Sequence, residues 1–174
     1  MPINLFEQKL SLIFTGISGS GKSTLVHKLA KEYNLKVVDV FKYVKPYIDK
    51  YSSPNVKGEL LKKVYKDLIS DIPNLNFDIL EIASDWPDEF VPKIVEKLKT
   101  KPILIFCEAP LKVCLKRNKA KSLPVPEETL QNQARFSRLF YKNLISKFKF
   151  KLIVIDTTKS FSESYQNLKK KLKL

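Results

Sequence analysis

Short apolar runs alternate along this chain with segments whose apolar residues recur every three to four positions. The runs are 10–15 (LSLIFT), 35–40 (LKVVDV), 76–84 (NFDILEIAS), 102–107 (PILIFC) and 151–156 (KLIVID). Each is strand-sized and rich in Val, Ile, Leu or Phe, as strands buried on both faces are. After the first run, Leu25, Val26, Leu29, Ala30 and Tyr33 share one helical face, while His27, Lys28, Lys31 and Glu32 take the other. Residues 41–72 read as Lys-rich helix broken by turn chemistry at 52–55 (SSPN). Further helices are predicted over 88–98, with Pro92 tolerable in the first turn, over 111–118 and over 127–148; 123–126 (LPVP) is rigid and extended. Ser160 followed by Glu163 forms a capping-box pattern that opens a last helix through Phe161, Tyr165, Leu168 and Leu172.

Strands that alternate with helices predict an α/β fold: a five-stranded parallel sheet covered by helices on both faces. At 174 residues the chain fits a single domain, 1–174, with no repeat or low-complexity linker.

The loop after the first run changes the picture. Only four glycines occur, and Gly16, Gly19 and Gly21 fall within six residues of one another. Gly16-Ile17-Ser18-Gly19-Ser20-Gly21-Lys22-Ser23 satisfies G-x-x-x-x-G-K-[ST], a phosphate-binding loop. Its backbone N–H groups must face an anion, which requires dihedrals and close approaches that a Cβ obstructs. The helix from about Lys22 then aims its positive end at the same anion. Lys22 should reach the β- and γ-phosphates of ATP, and the Ser23 hydroxyl should bind Mg²⁺ beside Thr24. A tight strand–helix turn with no ligand is the plainer alternative, but it does not call for Lys and Ser at these positions.

Composition adds less. The chain is 44% hydrophobic and 29% charged, and its runs are too short to span a bilayer. MPINLFEQKL lacks signal-peptide regions, so a soluble cytoplasmic protein is expected. Cys107 and Cys114 match no metal or redox spacing and read as buried free thiols. The net charge of +14 is either a Lys-rich solvated surface or attraction to a polyanion such as RNA. Arg117, Arg135 and Arg138 are the only arginines and cluster within twenty-two residues, which suits phosphate better than scattered lysines do.

A GTPase reading lacks its base-reading element: the nearest stretch, Asn118-Lys119-Ala120-Lys121, has no aspartate. CLKRNKAKSLPVPEETLQNQARF followed by LIVIDTTK resembles the kinase domain of archaeal phosphoseryl-tRNA kinases and related polynucleotide-kinase-like P-loop kinases. LAKEYNLKVVDV resembles small adenylate-kinase-like proteins. The resemblance implies a three-layer P-loop NTPase fold, with a small lid at about 117–135, and an ATP- and Mg²⁺-dependent phosphotransferase. It implies that Arg117 swings over the transferring phosphate, with Lys119 or Lys121 replacing a second lid arginine. It implies a carboxylate at the end of the third strand for the Mg²⁺ water shell. Glu81 best matches that position and Asp85 shares its parity, so both stay open.

Asp39, at the carboxyl end of the second strand, is the candidate general base, with Glu108 as a lower-ranked rival. Arg135, Arg138 and Lys142 make a basic stripe, either solvated or with an arginine reaching the phosphates. Asp156-Thr157-Thr158, at the end of the fifth strand, should lie near the adenine and make backbone contacts rather than do chemistry, with Thr158 as the cofactor-binding candidate. Trp86 and Pro87 line the acceptor pocket or simply pack. His27 falls on the polar face of its helix and is given no role.

Three acceptor classes compete. The lid resemblance and the charge make a hydroxyl of RNA, tRNA or a polynucleotide end the expected acceptor; a nucleoside or nucleoside monophosphate, favoured by the size, and no acceptor at all, in an ATP-driven binding module, are the alternatives.

Overall fold

A computed structural model describes residues 11–47, 54–121, 124–147 and 151–174. The elements are β1 (Leu12–Thr15), α1 (Lys22–Tyr33), β2 (Val37–Asp39), α2 (Phe41–Val44), α3 (Pro54–Asp71), β3 (Ile79–Glu81), α4 (Pro87–Lys97), β4 (Ile103–Glu108), α5 (Leu111–Lys119), α6 (Glu127–Lys147), β5 (Lys151–Asp156) and α7 (Phe161–Leu172), with 3₁₀ turns at Lys45–Tyr47 and Ile72–Asn74. All strand pairs are parallel, in the order β2-β3-β1-β4-β5. The predicted five strands and their helices are therefore present. β2 and β3 are shorter than the apolar runs that announced them. Leu35 and the stretch before Ile79 connect rather than pair: Asp78 uses its N–H and a carboxylate oxygen to bond Lys36. The predicted break at 52–55 and the start of LPVP fall largely outside the described residues.

Strand alternation sorts the core into two layers. Leu12, Phe14, Ile103, Ile105, Cys107, Ile153 and Ile155 face Leu25, Val26 and Leu29 of α1 and Tyr165, Leu168 and Leu172 of α7. Ile13, Leu80, Ile82 and Leu104 face Leu61, Val64, Tyr65 and Leu68 of α3, Phe90, Val91 and Ile94 of α4, and Phe140 of α6. Strands buried on both sides need apolar residues at consecutive positions, which is why their sequences run rather than alternate. The α7 capping box forms as its sequence predicts: Glu163 N–H donates to Ser160 Oγ at 3.2 Å, and Ser160 N–H donates to Glu163 Oε2 at 3.1 Å.

The topology also places the charge. α1, α4, α6 and α7 return antiparallel to the strands they follow or precede, so their last turns lie at the strands' amino ends. Those last turns carry Lys31, Lys97, Lys147, and Lys169, Lys170 and Lys171. Cations there complement the helix dipoles. This part of the lysine excess therefore sits opposite the phosphate loop rather than flanking it.

Candidate active site

The loop between β1 and α1 is shaped by its packing. A Cβ on Gly16, whose φ is 142°, would stand 2.4 Å from the Cys107 carbonyl oxygen of β4. A Cβ on Gly19 would stand 2.5 Å from the Cys114 carbonyl oxygen of α5. These two glycines let the loop lie flush on neighbouring backbone, a need separate from ligand approach. Gly21 caps α1 in the left-handed region without a side-chain cap, and no acidic residue stands in the first turn. The first described intrahelical bond runs from Leu25 N–H to the Gly21 carbonyl, which leaves the N–H groups of Lys22, Ser23 and Thr24 ahead of it as an anion site.

Lys22 is buried, and its ammonium donates to the carbonyls of Gly16 at 2.7 Å and Ile17 at 3.1 Å, in the concavity of the loop. Ser20 Oγ is buried and has no hydrogen-bond partner. A buried cation and an orphaned hydroxyl inside one loop fit a phosphate group.

Beyond the loop, Ser23 Oγ donates to Glu81 Oε1 at 2.5 Å. Burial pushes the Glu81 carboxyl up from its ordinary value; the Ser23 bond and the Lys22 charge pull it back, and Asp39 pushes it up again. Asp39 and Glu81 are register partners on β2 and β3. Asp39 also accepts from Phe41 N–H at 2.8 Å, which turns the chain into α2. The oxygen-only donors Ser23 and Glu81 fit a hard cation such as Mg²⁺. Asp85 is turned elsewhere: its Oδ1 accepts from Gln133 Nε2 at 3.0 Å.

On the other side of β1, Arg117 Nη2 donates to the Thr157 carbonyl at 2.7 Å and Nη1 lies 3.4 Å from the Gly19 carbonyl. The arginine is thus anchored against the phosphate loop. The Lys121 ammonium is held below the ordinary lysine value, first by desolvation and then by the charge of Lys22. Thr158 closes a turn on Asp156, to which its hydroxyl donates at 2.6 Å. Glu108 opens, with Ile17, Ser137, Asp156 and Thr158, into a cleft of ≈ 390 Å³. Since β1 separates β4 from β3, Glu108 lies apart from the Asp39–Glu81 pair. Arg135 is exposed on α6, and the Arg138 and Lys142 side chains lie outside the described residues. Cys107 and Cys114 are buried free thiols, and burial raises Cys107 to about 12. Trp86 packs edge-on against Phe90, with ring centroids 6.3 Å apart, and Lys62 Nζ lies 5.5 Å from its centroid.

Two side-chain roles escaped the sequence reading. The Thr157 hydroxyl lies 2.6 Å from the Ser20 carbonyl and 2.9 Å from that of Glu108, bracing the loop against β4 and β5. Gln133 accepts from Ser18 N–H through Oε1 at 2.9 Å while holding Asp85. Its signal was present: Leu130, Gln133, Ala134, Ser137 and Phe140 form the buried stripe of α6, and a glutamine among apolar and small residues marks a partner.

A five-stranded parallel sheet in this order, with a phosphate loop between its central strand and first helix, is a P-loop NTPase fold. No family model matches the chain. Solved structures share its fold. A deoxyadenosine kinase from M. mycoides with bound dATP superposes with a TM-score of 0.64 at 17% identity, over 95% of this chain and 100% of that one. A gluconokinase from Sinorhizobium meliloti 1021 gives 0.65 at 14% identity, over 94% and 91%. A shikimate kinase from Bacteroides thetaiotaomicron gives 0.60 at 14% identity, over 95% and 99%. In sequence, 47 residues are 43% identical to adenylate kinase 2 of Plasmodium falciparum (isolate 3D7). That match spans 27% of this chain and only 17% of the relative's length.

Among the described residues, no helix is long and apolar enough to cross a membrane.

Proposed function

We propose that this chain is an ATP-dependent kinase whose acceptor is a small hydroxyl compound, with a nucleoside as the first choice. The Ser23–Glu81 contact carries the reading, because it joins the phosphate loop to a carboxylate whose strand neighbour is Asp39. A cation site and a base for the acceptor hydroxyl then stand on one side of the loop. The nucleoside, gluconate and shikimate kinases named above match nearly the whole chain in fold, which favours a small acceptor over the polynucleotide suggested by net charge. The lysines at the helix carboxyl ends have a local electrostatic explanation.

In this reading the N–H groups of Gly21, Lys22, Ser23 and Thr24 face the ATP phosphates, while Gly16, Ser18, Gly19 and Ser20 form the wall of the cradle, with the Ser18 N–H held by Gln133 and the Ser20 N–H by the Ile17 carbonyl. Lys22 leaves the Gly16 and Ile17 carbonyls to neutralise the β- and γ-oxygens. Ser23 and Glu81 would hold Mg²⁺, which would supply positive charge against the charge that develops on the phosphates. Asp39 orients the acceptor hydroxyl and takes its proton. Arg117 and Lys121 add positive charge from the α5 side, and Thr158 borders the adenine end. Arg135, exposed on α6, and Arg138 are kept as candidate phosphate contacts from the lid helix.

A panel of deoxyribonucleosides, nucleoside monophosphates, gluconate, shikimate and tRNA, incubated with γ-labelled ATP, tests the proposal. Label is expected in a small acceptor, at a rate little changed by salt. Label in tRNA with steep salt dependence would overturn the acceptor class. Label only in free phosphate would overturn the kinase reading.

A further inference from the structure

We propose that Gln133 is a positioning residue of the phosphate loop, acting through the Ser18 N–H. The inference rests on reading that loop as an ATP site.

Gln133 is 3% exposed, and both ends of its carboxamide are engaged. Oε1 accepts from Ser18 N–H at 2.9 Å, and Nε2 donates to Asp85 Oδ1 at 3.0 Å. A backbone N–H can only donate and a carboxylate can only accept, so the amide has one productive orientation. A carboxylate, an ammonium or an apolar side chain cannot serve both neighbours. Three segments meet on this group: the phosphate loop, α6 at the far limb of the predicted lid, and the connection from β3 to α4. Asp85 directly precedes Trp86, whose backbone is held at a φ of 41° before α4 begins. The backbone carbonyl of Gln133 also accepts from Ser137 Oγ at 2.7 Å, one turn further along α6.

Elsewhere the loop is braced from the β5 side by Thr157 on the Ser20 carbonyl and Arg117 on the Gly19 carbonyl. Ser18, between those residues and β1, takes its brace from Gln133. Removing it frees the half of the loop that carries Gly16 and Ile17, whose carbonyls hold Lys22. A loop that must be ordered on binding binds ATP less tightly than one already ordered.

The test reverses the polarity of the bridge. Gln133→Glu keeps the acceptor for Ser18 but sets a carboxylate against Asp85. Adding Asp85→Asn restores a donor, now on the other partner. Calorimetry with MgATP needs no acceptor and separates this idea from the acceptor assignment. Gln133→Glu is expected to weaken ATP about 10-fold or more, and the double variant to return to within about 3-fold of wild type. Gln133→Glu is expected to melt lower than wild type, because it buries a second carboxylate beside Asp85, so affinities are read well below each melting temperature, where a purely structural role would leave ATP binding unchanged. Wild-type affinity in Gln133→Glu would overturn the proposal, as would a double variant that melts normally yet binds no better than the single one. If Gln133→Glu does not fold, Gln133→Met keeps the volume without the amide and must also weaken ATP; wild-type affinity there overturns the proposal too. Absence of ATP binding in the wild-type chain would remove the loop reading itself.

Discussion

Ser23 on α1 and Glu81 on β3, 58 residues apart in sequence, are joined by a 2.5 Å hydrogen bond from hydroxyl to carboxylate. The bond forms because β1 pairs with β3, with Phe14 and Glu81 in register, and because the loop returns the chain over the carboxyl end of that pair. A carboxyl raised chiefly by burial is thereby held at the mouth of the phosphate loop.

Glu81 should cost stability at neutral pH. Its folded-state pKa is raised, so the folded protein binds more protons than the unfolded chain above the unfolded value of 4.5. Stability therefore falls as pH rises through that window. Glu81→Gln is expected to melt higher than wild type at pH 7 in metal-free buffer, with the gap closing toward pH 4.5, and to lose Mg²⁺-dependent ATP binding. Melting curves across pH, with calorimetry at pH 7, check both.

Thr157→Val keeps the shape and removes the hydroxyl that braces the Ser20 carbonyl. Leaving that buried acceptor without its partner should cost about 1–3 kcal/mol of stability, read by denaturant unfolding. ATP affinity should fall with it. Thr158→Val, whose hydroxyl bonds the exposed turn at Asp156, should change stability little in the same assay.

Gly16→Ala and Gly58→Ala should move stability in opposite directions. At Gly16 the new Cβ meets the Cys107 carbonyl oxygen at 2.4 Å with φ at 142°. The cost is expected to exceed about 2 kcal/mol. At Gly58, within α3, the nearest atom is a Trp86 ring carbon at 4.0 Å. Alanine there should stabilise by about 0.5–1 kcal/mol. Urea unfolding of both variants reads the contrast.

Arg117→Lys retains the charge but cannot fork between the Thr157 and Gly19 carbonyls. ATP binding is expected to weaken by about 10-fold, with little change in melting temperature. Equal affinity would show that charge alone suffices.

Local patterns carried the elements. The Ser160–Glu163 box marked α7, and the loop stood where its motif placed it between an apolar run and an amphipathic helix. Strand ends were less legible. Runs 35–40 and 76–84 continue as apolar or extended chain beyond the three-residue pairings at Val37–Asp39 and Ile79–Glu81, and only a neighbouring strand decides where pairing stops. The same limit governed Glu81 and Asp85: Glu81 matched the position better, but Asp85 shared its parity, so both stayed open. A contact with Ser23 distinguishes one, and a contact with Gln133 the other. Arginines drew notice on α6 because their chemistry suits phosphate, yet helical geometry turns Gln133 to the loop and leaves Arg135 exposed. Net charge did not show where the lysines stand, because a sum over the chain carries no positions. The sheet topology put many lysines at the far ends of helices.

Transfer of the labelled γ-phosphate, followed in parallel for wild type and Lys22→Ala with a small hydroxyl acceptor, tests the central claim most directly. The account predicts a labelled phosphate ester from the wild type and a rate at least about 10³-fold lower from the variant. Equal rates, or label released only as inorganic phosphate with every acceptor, would contradict it.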